Sequence, residues 1–333
     1  MNRKDQIDWL RLARTETVGP VTFHRLLAKY GSPAAALDIL PVLTRNKPIR
    51  ICDTATAQRE LETLDKYNGR MLFAGDAHYP LALTALEDAP PVLSVLGHID
   101  LLQKQSVALV GSRNASLNAR KLVHKMAADL GKAGIVVVSG LARGIDTSAH
   151  EGSLPTGTVA VVAGGVNVIY PKENTDLFHK IGETGAVISE CAWGMQPLAQ
   201  HFPKRNRIVS GLSVGTVVIE ASLRSGSLIT ARMAAEQGRD VMAVPGFPLD
   251  PRSEGTNALL RDGVILVRDA ADVLEQINSF LKPAQRNEQI SFSEIVGLND
   301  SGLSESPAND CFSSENLYSL IFPELSTTPV EVD

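Results

Sequence analysis

Apolar residues follow two different rhythms along this chain. Between residues 7 and 40 the spacing is helical: Ile7, Leu10, Leu12 and Ala13 precede Val18-Gly19-Pro20, and Phe23, Leu26 and Leu27 follow it. Gly and Pro at that break stop one helix and open the next. A second break at Tyr30-Gly31-Ser32-Pro33 leads into Ala34-Ala35-Ala36-Leu37. Beyond residue 104 the pattern changes to short continuous runs rich in β-branched residues. These are Val107 to Val110, Ile135 to Val138, Thr158 to Ala163, Ala186 to Ser189, Val217 to Ile219, Val241 to Val244 and Val264 to Val267. Amphipathic stretches separate them; in the one from Leu117 to Lys132, Leu122, Val123, Met126, Ala127 and Leu130 recur at helical spacing. Short apolar runs alternating with helices predict an α/β fold, with a Rossmann-like, mostly parallel sheet covered by helices on both faces. Such sheets bind ligands beyond the carboxyl ends of their strands.

The same patterns divide the chain into a small all-helical domain over residues 1–56 and a sheet domain over 57–281, whose first part, 57–104, reads as a bridging segment. A polar, acidic linker is expected over 282–315, followed by the start of a further small helical unit over 316–333, too short to bury a core of its own. Charge is distributed unevenly. Residues 287–333 hold nine acidic side chains and no Lys or Arg, so the first 286 residues carry +4 while the whole 333-residue chain carries −5. Local charge governs electrostatic capture more than the total does. No apolar run is long enough to cross a bilayer. The start, Met1-Asn2-Arg3-Lys4-Asp5, lacks the apolar stretch of a secretory signal, so a cytoplasmic location is expected. Cys52, Cys191 and Cys311 are scattered and odd in number, which supports neither a disulfide framework nor a zinc site.

Candidate chemistry gathers where the apolar runs end. Gly111-Ser112-Arg113-Asn114 and Ser139-Gly140-Leu141-Ala142-Arg143-Gly144-Ile145-Asp146 are both strand-to-helix turns carrying an arginine. Backbone amides at such turns hold anions, and a guanidinium adds a bidentate contact. Asp146 reads as a helix cap and His150 as a surface or packed histidine. Tyr170-Pro171-Lys172 lies beyond the next run, with Lys172 a phosphate contact and Tyr170 a packing or stacking group. Phe202-Pro203-Lys204-Arg205-Asn206-Arg207 places three cations ahead of an apolar, turn-punctuated run. Arg205 and Arg207 can clamp phosphates, or one can tie down Glu190 or Glu220 internally. Phe202 is either core or a platform for an unstacked base. Ser225, Gly226, Ser227 and Thr230, beside Arg224, form a further phosphate cradle at a helix start. Neither a GxGxxG fingerprint nor a Walker loop is present. Ser222 and Ser225 lack a histidine partner implied by the sequence, so binding is expected rather than turnover, with no metal or cofactor.

At these segments, together with Pro245-Gly246 and Ser253 to Asn257, the chain resembles the DNA-processing protein DprA/Smf family of bacterial natural transformation over residues 7 to 277. The resemblance implies a Rossmann-like domain that binds single-stranded DNA, homodimerises and loads RecA recombinase onto incoming strands, without catalytic turnover. It also implies that Arg113 and Lys172 sit in a basic pocket and that Phe202 lies close to the bases. The amino-terminal helices resemble a sterile-alpha-motif-like domain, and residues 316–333 resemble the beginning of a truncated or rudimentary winged helix. A different expectation competes with this one. Lysine-decarboxylase-like phosphoribohydrolases, which process nucleoside monophosphates, share the sheet and its glycine-rich turns. In a third reading the arginines only form internal ion pairs.

Overall fold

The computed structural model describes residues 1–43 and 49–279. The expected linker and winged-helix start lie outside the described residues.

The amino-terminal pattern resolves into α1 (Arg3–Arg14), α2 (Pro20–Tyr30), α3 (Pro33–Leu43) and α4 (Thr54–Lys66). Asn2 caps α1 by accepting from the Asp5 amide, and Gly31 ends α2 in the left-handed conformation. Trp9, Leu10, Leu12, Phe23, Leu26, Leu37, Leu40 and Leu61 form the module's core, which also takes in Phe73 and Val92 from the neighbouring sheet. The indole of Trp9 donates to the Pro91 carbonyl at 2.9 Å. The expected boundary at residue 56 therefore falls inside α4, whose Ala57 and Leu61 belong to the helical core.

The strands are β1 (Arg70–Phe73), β2 (Val92–Gly97), β3 (Ser106–Gly111), β4 (Val136–Ser139), β5 (Thr158–Val161), β6 (Ala186–Ser189), β7 (Gly215–Ile219), β8 (Asp240–Ala243) and β9 (Ile265–Leu266). They form one nine-stranded sheet in the order β1-β2-β6-β5-β4-β3-β7-β8-β9. From β6 to β9 every neighbouring pair is parallel, whereas β1 and β2 add an antiparallel margin. The bridging segment is thus part of the sheet, with a short α5 (Leu81–Thr84) between its two strands.

The remaining helices are α6 (Leu117–Lys132), α7 (Ile145–Ser153), α8 (Thr175–Thr184), α9 (His201–Leu212), α10 (Gly226–Glu236), α11 (Glu254–Arg261) and α12 (Ala270–Ser279). Side chains alternate across the sheet, as the two-residue period of a strand requires. Val107, Leu109, Val137, Val217 and Ile219 face Val123, Met126, Ile145 and Val273 of α6, α7 and α12. Ala108, Val110, Val138 and Val218 face Ile208, Val209, Leu212 and Ala231 of α9 and α10. The stretch from His201 is therefore a helix and not a turn-punctuated run; Pro203 is tolerated because it lies in the first turn.

From β3 the chain winds outward through β4, β5 and β6, then returns to pair β7 with the other side of β3. The helices leaving β3 and β7 cover opposite faces. Their carboxyl ends consequently diverge and open a crevice, the place where open α/β sheets bind ligands.

Candidate nucleic-acid interface

A cleft of about 420 Å³ occupies that crevice. Its walls come from the turn after β3 (Gly111, Ser112, Arg113), the turn after β4 (Gly140), α9 (Phe202, Arg205) and the start of α10 (Ser225, Gly226, Ser227, Thr230). A small recess continues from it toward β5, sharing Arg113, Gly140, Phe202 and Arg205 and adding Arg143 and Tyr170. Residues distant in the sequence thus converge because successive loops leave adjacent parallel strands on the same edge.

Each loop is held in place. The Ser112 amide donates to the Glu220 carbonyl at 2.7 Å, and the Ile145 amide donates to the Ser112 carbonyl at 3.2 Å. Glu220 adopts a left-handed backbone (φ 48°), and its carboxylate accepts from the Ser116 amide and hydroxyl at the start of α6. Its role is to tie the β7 loop to the β3 loop, which differs from the arginine partnership the sequence offered as one possibility. Gly144 sits at φ 80°, where an added Cβ would come within 2.3 Å of the Ser112 carbonyl oxygen. Only glycine combines that backbone conformation with such a close approach.

Arg113 is exposed at the mouth, its guanidinium 5.3 Å from the Phe202 ring centroid. Phe202 also meets Tyr170 edge-on, with centroids 5.7 Å apart. It is half-buried, so it belongs to the cleft wall rather than the core. Beneath it lies Arg205, only 6% exposed, donating from Nη1 to the Val161 carbonyl at 3.1 Å. Its Nε is buried without a partner among the described residues. Gly140 makes room for this group, since a Cβ there would lie 1.4 Å from Nη1. Burial is the largest influence on Arg205 and pushes its pKa down, opposed by the charge of Asp146. Asp146 accepts from the amides of Gly140 and Ala142 at 3.1 and 3.2 Å, bracing the turn before its helix instead of capping that helix. Burial raises its pKa, with Arg205 pulling the other way.

Other expected residues stand apart from the cleft. Arg207 is turned away from it, buried between Glu190 and Asp88, with Nη1 donating to the Asp88 carbonyl at 2.5 Å. Its internal role corrects its placement among the DNA contacts. Helical geometry explains the difference: Phe202, Arg205, Asn206 and Val209 repeat at i, i+3, i+4 and i+7 and face the cleft, whereas position 207 points elsewhere. Lys204 is exposed on α9, Arg224 is exposed in the turn before α10, and Lys172 is exposed beyond Pro171, none of them among the cleft walls. Arg143 pairs with Glu173 at 3.6 Å, but both side chains are exposed, so the pair is weak and the guanidinium can turn to an anion. Asn114 extends the turn after β3 along the cleft, and Pro203, Ser222 and Ile229 also line it.

The arrangement suits a polyanion. Amides and hydroxyls at the start of α10 carry the positive end of the helix dipole, Arg113 and Arg205 line the same cleft, and Phe202 adds an aromatic surface shared with the recess. The Ser225 hydroxyl hydrogen-bonds that of Ser227 at 2.7 Å. His150 is fully buried against Thr158 instead of approaching a serine. No cluster of residues suited to a metal occurs among the described residues, and no single described helix is long and apolar enough to cross a membrane.

Comparison with known proteins agrees with this geometry. Residues 70–278 match the family model for DNA recombination-mediator protein A, and residues 3–63 match a DprA-like N-terminal HHH domain. The DNA processing protein DprA of Streptococcus pneumoniae is 47% identical over 203 residues, covering 60% of this chain and 72% of that protein. Protein Smf of Escherichia coli is 39% identical over 248 residues, covering 70% of this chain and 66% of Smf. Among solved structures, S. pneumoniae DprA superposes with a TM-score of 0.70 at 35% identity, covering 83% of this chain and 98% of that one. DNA processing protein A of Helicobacter pylori, described for its single-stranded DNA binding mode, gives 0.59 at 29% identity, covering 64% of this chain and 97% of that one. By its sheet, its helical module and these matches, the chain belongs to the DNA recombination-mediator protein A (DprA/Smf) family.

Proposed function

We propose that the cleft binds single-stranded DNA. Arg113, Arg143 and Arg205, together with the turns at Gly111-Ser112, Gly140 and Ser225-Gly226-Ser227, hold successive phosphates, and Phe202 stacks on an unpaired base. Lys172, Lys204 and Arg224 supply outer contacts. The observation that carries this reading is one shared wall. Arg113 lies over the Phe202 ring and faces the start of α10 across a single cleft, so it pairs a phosphate contact with a stacking surface. Stacking on an aromatic ring requires a base freed from a duplex. The single-stranded DNA binding mode ascribed to the H. pylori relative supports the same reading.

In this reading the protein protects incoming strands and loads RecA recombinase onto them during natural transformation, acting as a cytoplasmic homodimer and as a binder without turnover. The family's description as a recombination mediator supports that role.

The test compares single- and double-stranded oligonucleotides by fluorescence anisotropy at two salt concentrations, for the wild type and Arg113→Gln. Preference for the single strand is expected, and the variant's log-log salt slope should fall by about one. Equal affinity for duplex, or an unaltered slope and affinity in the variant, would reject the cleft as the binding site. Release of free base from AMP by the purified protein would point instead to nucleotide-processing chemistry.

A further inference from the structure

The strand order also says where a bound strand goes next. Moving from β7 through β3, β4 and β5 to β6, the carboxyl-end loops present Ser225, Arg113, Arg143, Tyr170 and then Trp193. The last of these loops is tied to the one before it. The Gly165 amide donates to the Met195 carbonyl at 2.8 Å, and the Gly194 amide donates to the Asn167 side chain at 2.7 Å. Pro197 from the same loop helps wall the recess beside Tyr170.

Trp193 stacks at a tilt on Tyr67 from the end of α4, with ring centroids 4.9 Å apart and planes at 39°. Tyr67 is 66% exposed, a large aromatic surface left in water. Exposed aromatic faces are what stacks successive bases of single-stranded nucleic acid without base preference.

We propose that the Tyr67–Trp193 pair forms a second stacking platform that engages a nucleic-acid strand continuing past Phe202 and Tyr170. The inference rests on the single-strand reading of the cleft. With neighbouring strands about 4.8 Å apart, the path from β7 to β5 spans roughly 14 Å and accommodates only a few nucleotides. Longer strands therefore reach the platform and short ones stop before it.

Tryptophan emission tests this directly. The chain has two tryptophans; Trp9 is buried, with its indole N–H bound to Pro91, so Trp193 is the one that responds to a ligand at the surface. Oligothymidylates of about four and about twelve nucleotides are titrated, with anisotropy followed in parallel. The longer strand is expected to quench emission, and the shorter one to bind without quenching. Trp193→Ala and Tyr67→Ala should each weaken the longer strand about ten-fold and leave the shorter one unchanged, as loss of one stacking contact implies. Trp193→Phe keeps a ring in place and should retain most of the affinity, which separates stacking from a general effect on folding. Unchanged emission on binding the longer strand, or equal weakening of both lengths in the alanine variants, would overturn the platform. If the wild type binds neither length, the cleft reading itself has failed, and this inference fails with it.

Discussion

Arg207 offers the sharpest separation between a DNA contact and a structural cation. Its side chain is 9% exposed and lies between Glu190, 19% exposed, and Asp88, 41% exposed. Replacing it with Met keeps the volume and removes the charge, leaving Glu190 buried without its main partner. Breaking a buried ion pair costs about 3–5 kcal/mol, and the lower end applies here because half-exposed Asp88 can rehydrate. For a domain of this size that loss lowers Tm by about 6–12 °C. Burial raises the Glu190 pKa, opposed first by Arg207 and then by Arg14 and Lys204, so the variant should raise it further. A carboxyl whose folded-state pKa exceeds its unfolded value binds more protons when folded. The stability it contributes is full at low pH and is lost as pH rises through the folded pKa. The Tm deficit of Arg207→Met should therefore be wider at pH 8 than at pH 5, and adding Glu190→Gln should narrow it. Thermal melts at the two pH values measure this, with oligonucleotide affinity determined well below Tm and expected to stay within about two-fold. An unshifted Tm together with a ten-fold loss of affinity would refute the reasoning and return Arg207 to the DNA contacts.

Two further outcomes follow from buried groups near Arg205. Burial, with the nearby charge of Arg205, pushes the His150 pKa down to about 3, whereas an unfolded histidine titrates near 6.5. The unfolded chain thus takes up the proton first, and stability falls as pH drops from that value toward the folded pKa. His150→Leu should flatten the decline of Tm between pH 7 and pH 4.5, and an unchanged slope would assign the decline to other groups. Gly140→Ala forces Arg205 off the Val161 carbonyl, because the new methyl would sit 1.4 Å from Nη1. A stability loss of about 1–3 kcal/mol is expected, along with weaker oligonucleotide binding. Denaturant unfolding and anisotropy would check the two effects, and a fully stable variant with intact binding would contradict the placement of Arg205.

Much of this architecture was legible in the residue pattern. The runs at Val107 and Ala186 are strands, and the amphipathic stretch from Leu117 to Lys132 is α6. The turns Gly111-Ser112-Arg113 and Gly140 to Gly144 could be placed at strand ends because glycine and arginine there interrupt an apolar run abruptly. What could not be read were relations set by tertiary pairing. Nothing local in Arg70 to Phe73 says that β1 pairs with β2 at the far margin, since four residues fit several registers. The roles of Arg205 and Arg207 stay open in the sequence because Pro203 and Gly211 disguise the helix that carries them. Extending α9 back to His201 would have set Phe202, Arg205, Asn206 and Val209 on one stripe and Arg207 off it. Glu220 was beyond reach, because its contact with Ser116 spans 104 residues and depends on a left-handed backbone.

That link between Glu220 and Ser116, with the Ile145–Ser112 bond beside it, makes the separate turns of the cleft one preassembled plate. A ligand meeting Arg113 finds loops already fixed to one another, so little conformational freedom remains to be lost at contact. Association should then proceed at the pace of electrostatic encounter, without waiting for a loop to rearrange, and should slow as ions screen the approach. Loosening any one tie would loosen its neighbours as well, so paired substitutions at Glu220 and Gly144 should depart from the sum of their separate effects.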